Sequence, residues 1–381
     1  GENAQVNVPG LTSLGEQLAF YAEGGGTVSA PNVTDVLGSV SVYENSVLSL
    51  PLATNVGAVI LNLFGTLDLP LATALNGTSV NLSGPGSMLV PELVTCVDTN
   101  FSIAGTSTFS AEKLAAISAT ETTHYITLYD GSVFDVPMLT ALHNMRLFAN
   151  NGAILDLPGL TEFSFANACG EQIITSQGVR TSDSRPSRIA LTGLTEIEYI
   201  GPNFCGGFTI WASAGGTVDL SALTAVTLNP ENPYDHVFRA SGEGSVVTLS
   251  SLAALDAELA LYAETGGTIE VPTVAEIFGT LSVYSGSELT FPVATSLGDL
   301  AMNVGGVLDL PGLTSIANCT ISVSDIGQLH LPEVLSLSNS NVTLNGSAVL
   351  DAPKLASMTG AADATRYISL GESSQFDAPL L

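Results

Sequence analysis

Basic residues are almost missing from this sequence. Eight Lys and Arg stand against 36 Asp and Glu, a formal net charge of −28 over 381 residues. A chain so negative offers nothing to a phosphate backbone, which argues against nucleic acid as a partner. No apolar run approaches the roughly 18 residues of a membrane span. Cysteines and histidines number four each and tryptophan one. His124, His143, His236 and His330 are scattered without ligand spacing, and His330 takes an outward strand position. No G-x-S-x-G elbow, phosphate loop or nucleotide fingerprint occurs. Helix-forming patterns are missing too: Gly, Thr, Ser, Val and Pro abound, and no apolar stripe of period 3.6 is found. Parallel β-helices include sugar-cleaving enzymes with paired carboxylates. Those enzymes usually need basic residues in the cleft, and this chain has almost none, so it reads as a non-enzyme.

What the chain does have is a refrain. "GTLDLPLATAL" at 65–75, "AILDLPGLTEF" at 153–163 and "GVLDLPGLTSI" at 306–316 are versions of one line. Following its proline, from Pro9 and Pro31 to Pro353 and Pro379, accounts for 13 of the 18 prolines, and Glu112, Thr192, Ser221 and Ser250 hold the same place in four further copies. The step from one anchor to the next is mostly 19 to 22 positions, stretching to 25, 26, 29 and 34. A fixed period of this size marks a solenoid. The positions three and one before the anchor are apolar (Leu67 and Leu69, Leu308 and Leu310) with a polar residue between, which predicts a short strand with one buried face. Proline ends it, having no N–H for a ladder. Apolar positions follow two and five residues after the anchor (Val33 and Val36, Leu313 and Ile316). A second alternating strand comes next, as in "VSVY" at 40–43 and "TISV" at 320–323. Glycine five before the next anchor (Gly26, Gly65, Gly216, Gly267, Gly306) predicts a tight turn. One such coil cannot bury its own apolar face, but coils stacked at about 4.8 Å make a continuous core.

A larger repeat lies above the small one. Residues 1–140 align with 242–381 almost without gaps, roughly a third of them identical, and the only two lysines, Lys113 and Lys354, are equivalent. The expected organisation is a first unit, 1–241, with an insertion loop at 167–190, continuous with the start of a second unit, 242–381. An excerpt from, or processed form of, a longer repetitive protein is the simplest origin.

The pattern "LPxLTxIxxxxxIxV" is similar to the rungs of receptor L domains and of related repeats in fungal cell-wall and bacterial surface proteins, and more distantly resembles the BspA-type leucine-rich surface repeats. The resemblance implies an all-β chain folded as a right-handed parallel β-helix, in an extracellular or cell-surface setting. It brings no catalytic residue. Receptor L domains usually hold several disulfides, and this chain departs from that.

Several positions are candidates for chemistry. Cys169 and Cys205 flank the widest anchor spacing and are expected to close it as a disulfide, while Cys96, in the inward column, and Cys319 are expected as free thiols. Sequons begin at Asn32, Asn76, Asn81, Asn100, Asn318, Asn341 and Asn345, sites of glycosylation if the protein is secreted. The outward position before the anchor often carries Asp. Stacked in register, Asp135 with Asp156 and Asp351 with Asp377 would repel across about 5 Å, a place for calcium or simply a wet face. No other cofactor is expected. Threonines follow many anchors (Thr34, Thr54, Thr161), but singly in turns and not as the paired ranks of an ice-binding face. The polar stretch "CGEQIITSQGVRTSDSRPSR" at 169–188 carries Arg180, Arg185 and Arg188, three of the eight basic residues. It reads either as a solvated loop or as a hook that grips the carboxylates of an adjacent copy.

Together these features predict a structural repeat protein, an extracellular rod, filament or adhesin stalk that associates with copies of itself. The alternative is a module recognising carbohydrate or protein on one solenoid face. An exposed aromatic rank would favour the latter, yet aromatics make up only 6% of the chain and Trp211 stands alone.

Overall fold

Among the described residues, seventeen three-residue strands precede the anchors, each ending two positions before its anchor, from Gln5–Asn7 before Pro9 to Gln375–Asp377 before Pro379. The computed structural model describes residues 4–166, 172–200, 207–229, 231, 236–360 and 366–381. Among these every regular element is a strand, and the chain is an all-β parallel solenoid of about 16 turns.

The anchor does more than end a strand. In the turn around Pro70 the Leu69 carbonyl accepts the Ala72 amide at 3.2 Å, and the same bond recurs at Ala30–Val33, Val90–Leu93 and Leu310–Leu313. The proline is thus the second residue of a β-turn, where its fixed φ is preformed for the bend. That place tolerates most residues, so Glu112, Thr192, Ser221 and Ser250 keep the turn. The equivalent amides there donate one for one: Leu114 to Ala111, Leu194 to Leu191, Leu223 to Leu220 and Leu252 to Leu249.

Each turn of chain contributes to three parallel sheets, the anchor sheet, a second and a third. The second sheet was not legible as strands. Its members, such as Ala74–Asn76 and Ser315–Ala317, bury one residue each, Leu75 and Ile316, too little for alternation to show. The third sheet holds the expected alternating strands, among them Ser39–Val42, Ser79–Leu82 and Thr320–Val323.

Contacts divide the chain into two compact units, one of Gly1–Ala168 with Ser176–Pro202 and one of Cys169–Thr175 with Asn203–Leu381. The sequence repeat restarts at 242, so packing and ancestry divide the chain differently. In unit 1 the anchor sheet runs in chain order from Gln5–Asn7 to Val133–Asp135, and the third sheet from Ala19–Ala22 to Met145–Asn150. In unit 2 they run from Thr217–Asp219 to Gln375–Asp377 and from Thr209–Ser213 to Ile368–Leu370. Register is held by inward columns: Leu48, Leu67, Met88, Phe109 and Phe134 are successive partners in unit 1, all buried. Each such side chain contributes roughly 1.5–3 kcal/mol by leaving water. On the outside the lysines behave identically: Lys113 clasps Glu92 at 2.6 Å in unit 1 and Lys354 clasps Glu333 at 2.5 Å in unit 2, each one turn back.

The glycines five before the anchor serve a different purpose from the one expected. Their φ is not in the left-handed region; before Gly26, Gly216 and Gly267 that burden falls on the preceding residue, Gly25 (φ 73°), Gly215 (φ 86°) and Gly266 (φ 88°). A Cβ on Gly65 would sit 2.4 Å from the carbonyl oxygens of both Ser46 and Tyr43, and one on Gly306 would meet those of Ser287 and Tyr284 at 2.4 and 2.5 Å. Glycine is there because the previous turn passes too close. Gly65→Ala and Gly306→Ala should each lower stability by about 1–3 kcal/mol through backbone displacement. Thermal melts matching wild type would show that the turns can spread at no cost.

Candidate functional site

The outward positions of the third sheet form the most distinctive surface. In unit 1, from Ser39 to Tyr129, five successive strands present three outward residues each, aligned by the ladders Ser41, Asn62, Asn81, Ser102 and Thr127. The flanking columns are Ser39, Ile60, Ser79, Asn100 and Tyr125 on one side and Tyr43, Phe64, Ser83, Ala104 and Tyr129 on the other. None is charged and none is buried. The corresponding positions of unit 2, from Thr280 to Gly371, are also without charge. On a chain of net charge −28 these faces stand out by composition, since the outward anchor-sheet column holds Asp68, Asp135 and Asp156 in unit 1 alone.

Aromatic rings punctuate the unit 1 face. Tyr43 and Phe64 are 44% and 38% exposed, with nearly parallel rings 6.1 Å apart. Tyr125 and Tyr129, at the other end, are about as exposed and border a cleft of about 410 Å³ with Ser102, Thr127, Phe148 and Asn150, bounded by Arg146. Tyr21 and Tyr43 have counterparts one large repeat on in Tyr262 and Tyr284, and Tyr125 has one in Tyr367. Six of the chain's nine tyrosines therefore fall in three equivalent pairs, which makes chance placement a poor account of them. Trp211 is not isolated either: its register partner Arg239 lies over its ring at 5.0 Å and is held by Glu264 at 2.6 Å.

The aspartates separate. Asp351 and Asp377 are register partners, with His330 on the other side of Asp351, its Nδ1 3.9 Å from the carboxylate. Asp135 and Asp156 are not: the anchor-sheet ladder stops at Val133–Asp135 and a new one starts at Ile154–Asp156. Asp135 instead accepts the Ser110 hydroxyl at 3.4 Å. Among the described residues no three His, Cys, Asp or Glu side chains converge as a metal cage requires.

The ladder stops where the arginine stretch folds back. Arg180 Nε donates to Asp130 at 2.5 Å, and Arg185 donates through Nε and Nη2 to the Gly152 carbonyl at 3.1 and 2.7 Å. Two of the three arginines are thus engaged within their own chain, and Arg188 opens the strand Arg188–Ala190. Part of the presumed loop is itself the strand Gln172–Gln177, with Ile173 and Ile174 buried. The Cys169–Cys205 pairing lies outside the described residues. Cys96 and Cys319 are free and buried; burial pushes the Cys96 thiol far up and that of Cys319 to about 11, so neither is a nucleophile near neutrality.

The sequons fall into distinct settings. Asn345 lies in an exposed turn and Asn76 at the exposed end of its strand. Asn81 donates its amide to Asn62 Oδ1 at 3.1 Å, Asn32 donates to the Pro9 carbonyl at 2.6 Å, and Asn100 accepts the Tyr125 amide at 3.1 Å. Asn318 adopts φ 57° and accepts from Asn339 at 2.6 Å, and Asn341 lies in a third-sheet strand.

The nearest approach to a catalytic grouping is Asp98, Thr120 and His124. The Thr120 amide, 2.7 Å from Asp98, holds that carboxyl below its usual range, helped by the Thr120 hydroxyl and by His124 at 3.8 Å. The Thr120 hydroxyl donates to Asp98 Oδ2 at 2.8 Å, and His124 Nε2 faces the other oxygen of the same carboxylate. His143 pairs with the Ser164 hydroxyl at 2.8 Å on the second sheet. No family model matches this chain, and neither does any curated protein or solved structure.

Proposed function

We propose that this chain is a structural repeat protein of the cell exterior, a stretch of solenoid whose turn count sets its reach, as in a filament, rod or adhesin stalk. The observation that carries this reading is the doubling of the fold along the chain. Anchor strands Gln5–Asn7, Thr27–Ser29, Val47–Ser49, Thr66–Asp68, Ser87–Leu89 and Thr108–Ser110 recur as Val246–Thr248, Thr268–Glu270, Glu288–Thr290, Val307–Asp309, Gln328–His330 and Val349–Asp351, each displaced by the same 241 positions, and the Lys–Glu clasp recurs with them. Length that grows by copying turns suits a scaffold better than a catalyst. The strong negative charge keeps such a surface soluble, and the similarity to receptor L-domain and BspA-type repeats points the same way. Electron microscopy of the native material tests it: filaments or stalks are expected, and isolated globular particles would reject it.

A second reading, a binding module, is favoured by the uncharged tyrosine-bearing faces. On this reading the stacked turns act as a rigid support for a recognition surface.

A further inference from the structure

We propose that the third-sheet face of unit 1 binds a neutral saccharide chain, with its exposed tyrosines as stacking platforms; the counterpart face of unit 2 carries Gly305 and Gly371 in place of Phe64 and Tyr129 and lacks those platforms. The proposal rests on the binding-module reading and names its ligand class.

The chemistry of the face selects the ligand. A pyranose ring has apolar C–H faces that lie well on aromatic rings, and equatorial hydroxyls that both donate and accept. The unit 1 face offers both complements: Tyr43 and Phe64 at one end, Tyr125 and Tyr129 at the other, and amide and hydroxyl groups between them, with Asn62 and Asn81 bonded in line at 3.1 Å. That bond uses one N–H of Asn81 and one lone pair of Asn62 Oδ1, and an amide has two N–H donors and two lone pairs, which leaves others for a ligand. Aromatic side chains supply contact area at little entropic cost, because they have few rotatable bonds. The five strands rise over about 19 Å at the usual strand spacing, room for several sugar rings in a row.

Charge narrows the class further. No outward third-sheet position between Ser39 and Tyr129 carries a charge, and the first charge beyond them is the single Arg146, register partner of Tyr125. The five strands themselves therefore neutralise no uronate, sulfate or phosphate, and the −28 of the whole chain repels such ligands at long range. A cationic ligand would find no carboxylate among these positions. A neutral polyhydroxylated chain is what remains. Recurrence supports a use for the face beyond folding: buried residues repeat because packing demands it, but Tyr43 and Tyr284, 44% and 45% exposed, have no such reason.

The test is calorimetric titration of the whole chain with neutral hexasaccharides of β-linked glucose, N-acetylglucosamine and mannose, and with polygalacturonate as the acidic counterpart. At least one neutral hexasaccharide should bind, with affinity unchanged between low and high salt. Combining Tyr43→Ala, Tyr125→Ala and Tyr129→Ala should weaken that binding tenfold or more at an unaltered melting temperature, and the matching Tyr→Phe variant should restore it. Saccharide binding that survives the alanine variant would keep the module reading and overturn this face as the site. Binding of polygalacturonate alone would overturn the ligand class. No saccharide binding, with self-association that the alanine variant abolishes, would reassign the face to contact with a second copy, and no binding of either kind would overturn both the proposal and the module reading.

Discussion

Phe109→Ala is expected to cost about 3–5 kcal/mol of unfolding free energy, the range for emptying a fully enclosed phenylalanine site. Phe109 is completely buried, stacks on Phe134 with ring centres 5.2 Å apart, and meets the edge of Phe101 at 5.0 Å. These three rings tie the anchor sheet to the third sheet across successive turns. The strand carrying Phe109 is laddered on both sides, to Met88 and to Phe134, so its hydrogen-bonded neighbours hold the walls in place and cannot collapse readily around a void. The upper half of the range is therefore expected. Phe109→Leu, which keeps most of the volume, should cost under about 1.5 kcal/mol. Urea denaturation of the two variants distinguishes the cases, and a loss below about 1 kcal/mol in the alanine variant would mean that neighbouring turns close the gap.

A second large effect concerns pH. His236 is completely buried, its ring 4.7 Å from that of Phe208, and its Nδ1 accepts the Phe208 amide at 3.1 Å. Neutral imidazole therefore carries its proton on Nε2, and a second proton could enter only by breaking that bond and burying a charge. Burial lowers the His236 pKa from 6.5 to about 4. The folded state thus refuses a proton that the unfolded chain takes. The resulting stability is fully present above pH 6.5 and is lost as pH falls from there towards 4, up to about 3 kcal/mol in all. Acidification also relieves repulsion among the carboxylates, so the bare pH profile mixes two trends. His236→Asn isolates the one of interest, since an amide oxygen can accept the Phe208 bond without titrating. Wild type should lose its advantage over this variant between pH 7.5 and 4.5, measured by denaturation midpoints, and parallel profiles would show that the imidazole stays neutral for no energetic reason.

Much of the fold could be read from the chain because one column repeats. Every anchor position, proline or not, lies two residues beyond a strand, since apolar–polar–apolar before a turn former is a local signal that each copy states again. Signals that are not local were lost. A second-sheet strand such as Ser315–Ala317 buries only Ile316, so its strand character exists only in its neighbours. Pro137 and Pro158 stand at an ordinary spacing, yet the strands before them do not pair, and the arginines that pack against Asp130 and Gly152 come from well further along the chain. The tyrosine face is invisible to composition, because its members lie a full turn or more apart in sequence and align only once the ladders fix which side each residue faces. One hint was present: "LAFYAEGGGTV" and "LALYAETGGTI" keep their tyrosine while changing its neighbours.

The pairing of Leu155 with Ile189 carries an implication for how such a chain changes over generations. Their anchors, Pro158 and Thr192, are separated by the longest step in the chain, yet Ile154–Asp156 and Arg188–Ala190 meet in the same register as strands one ordinary turn apart. Register follows from which side chain enters the core and not from the length of chain between. Heritable insertions and deletions at the corners are thereby uncoupled from the interior, and a lineage can try new surface segments, of any length, without renegotiating its core.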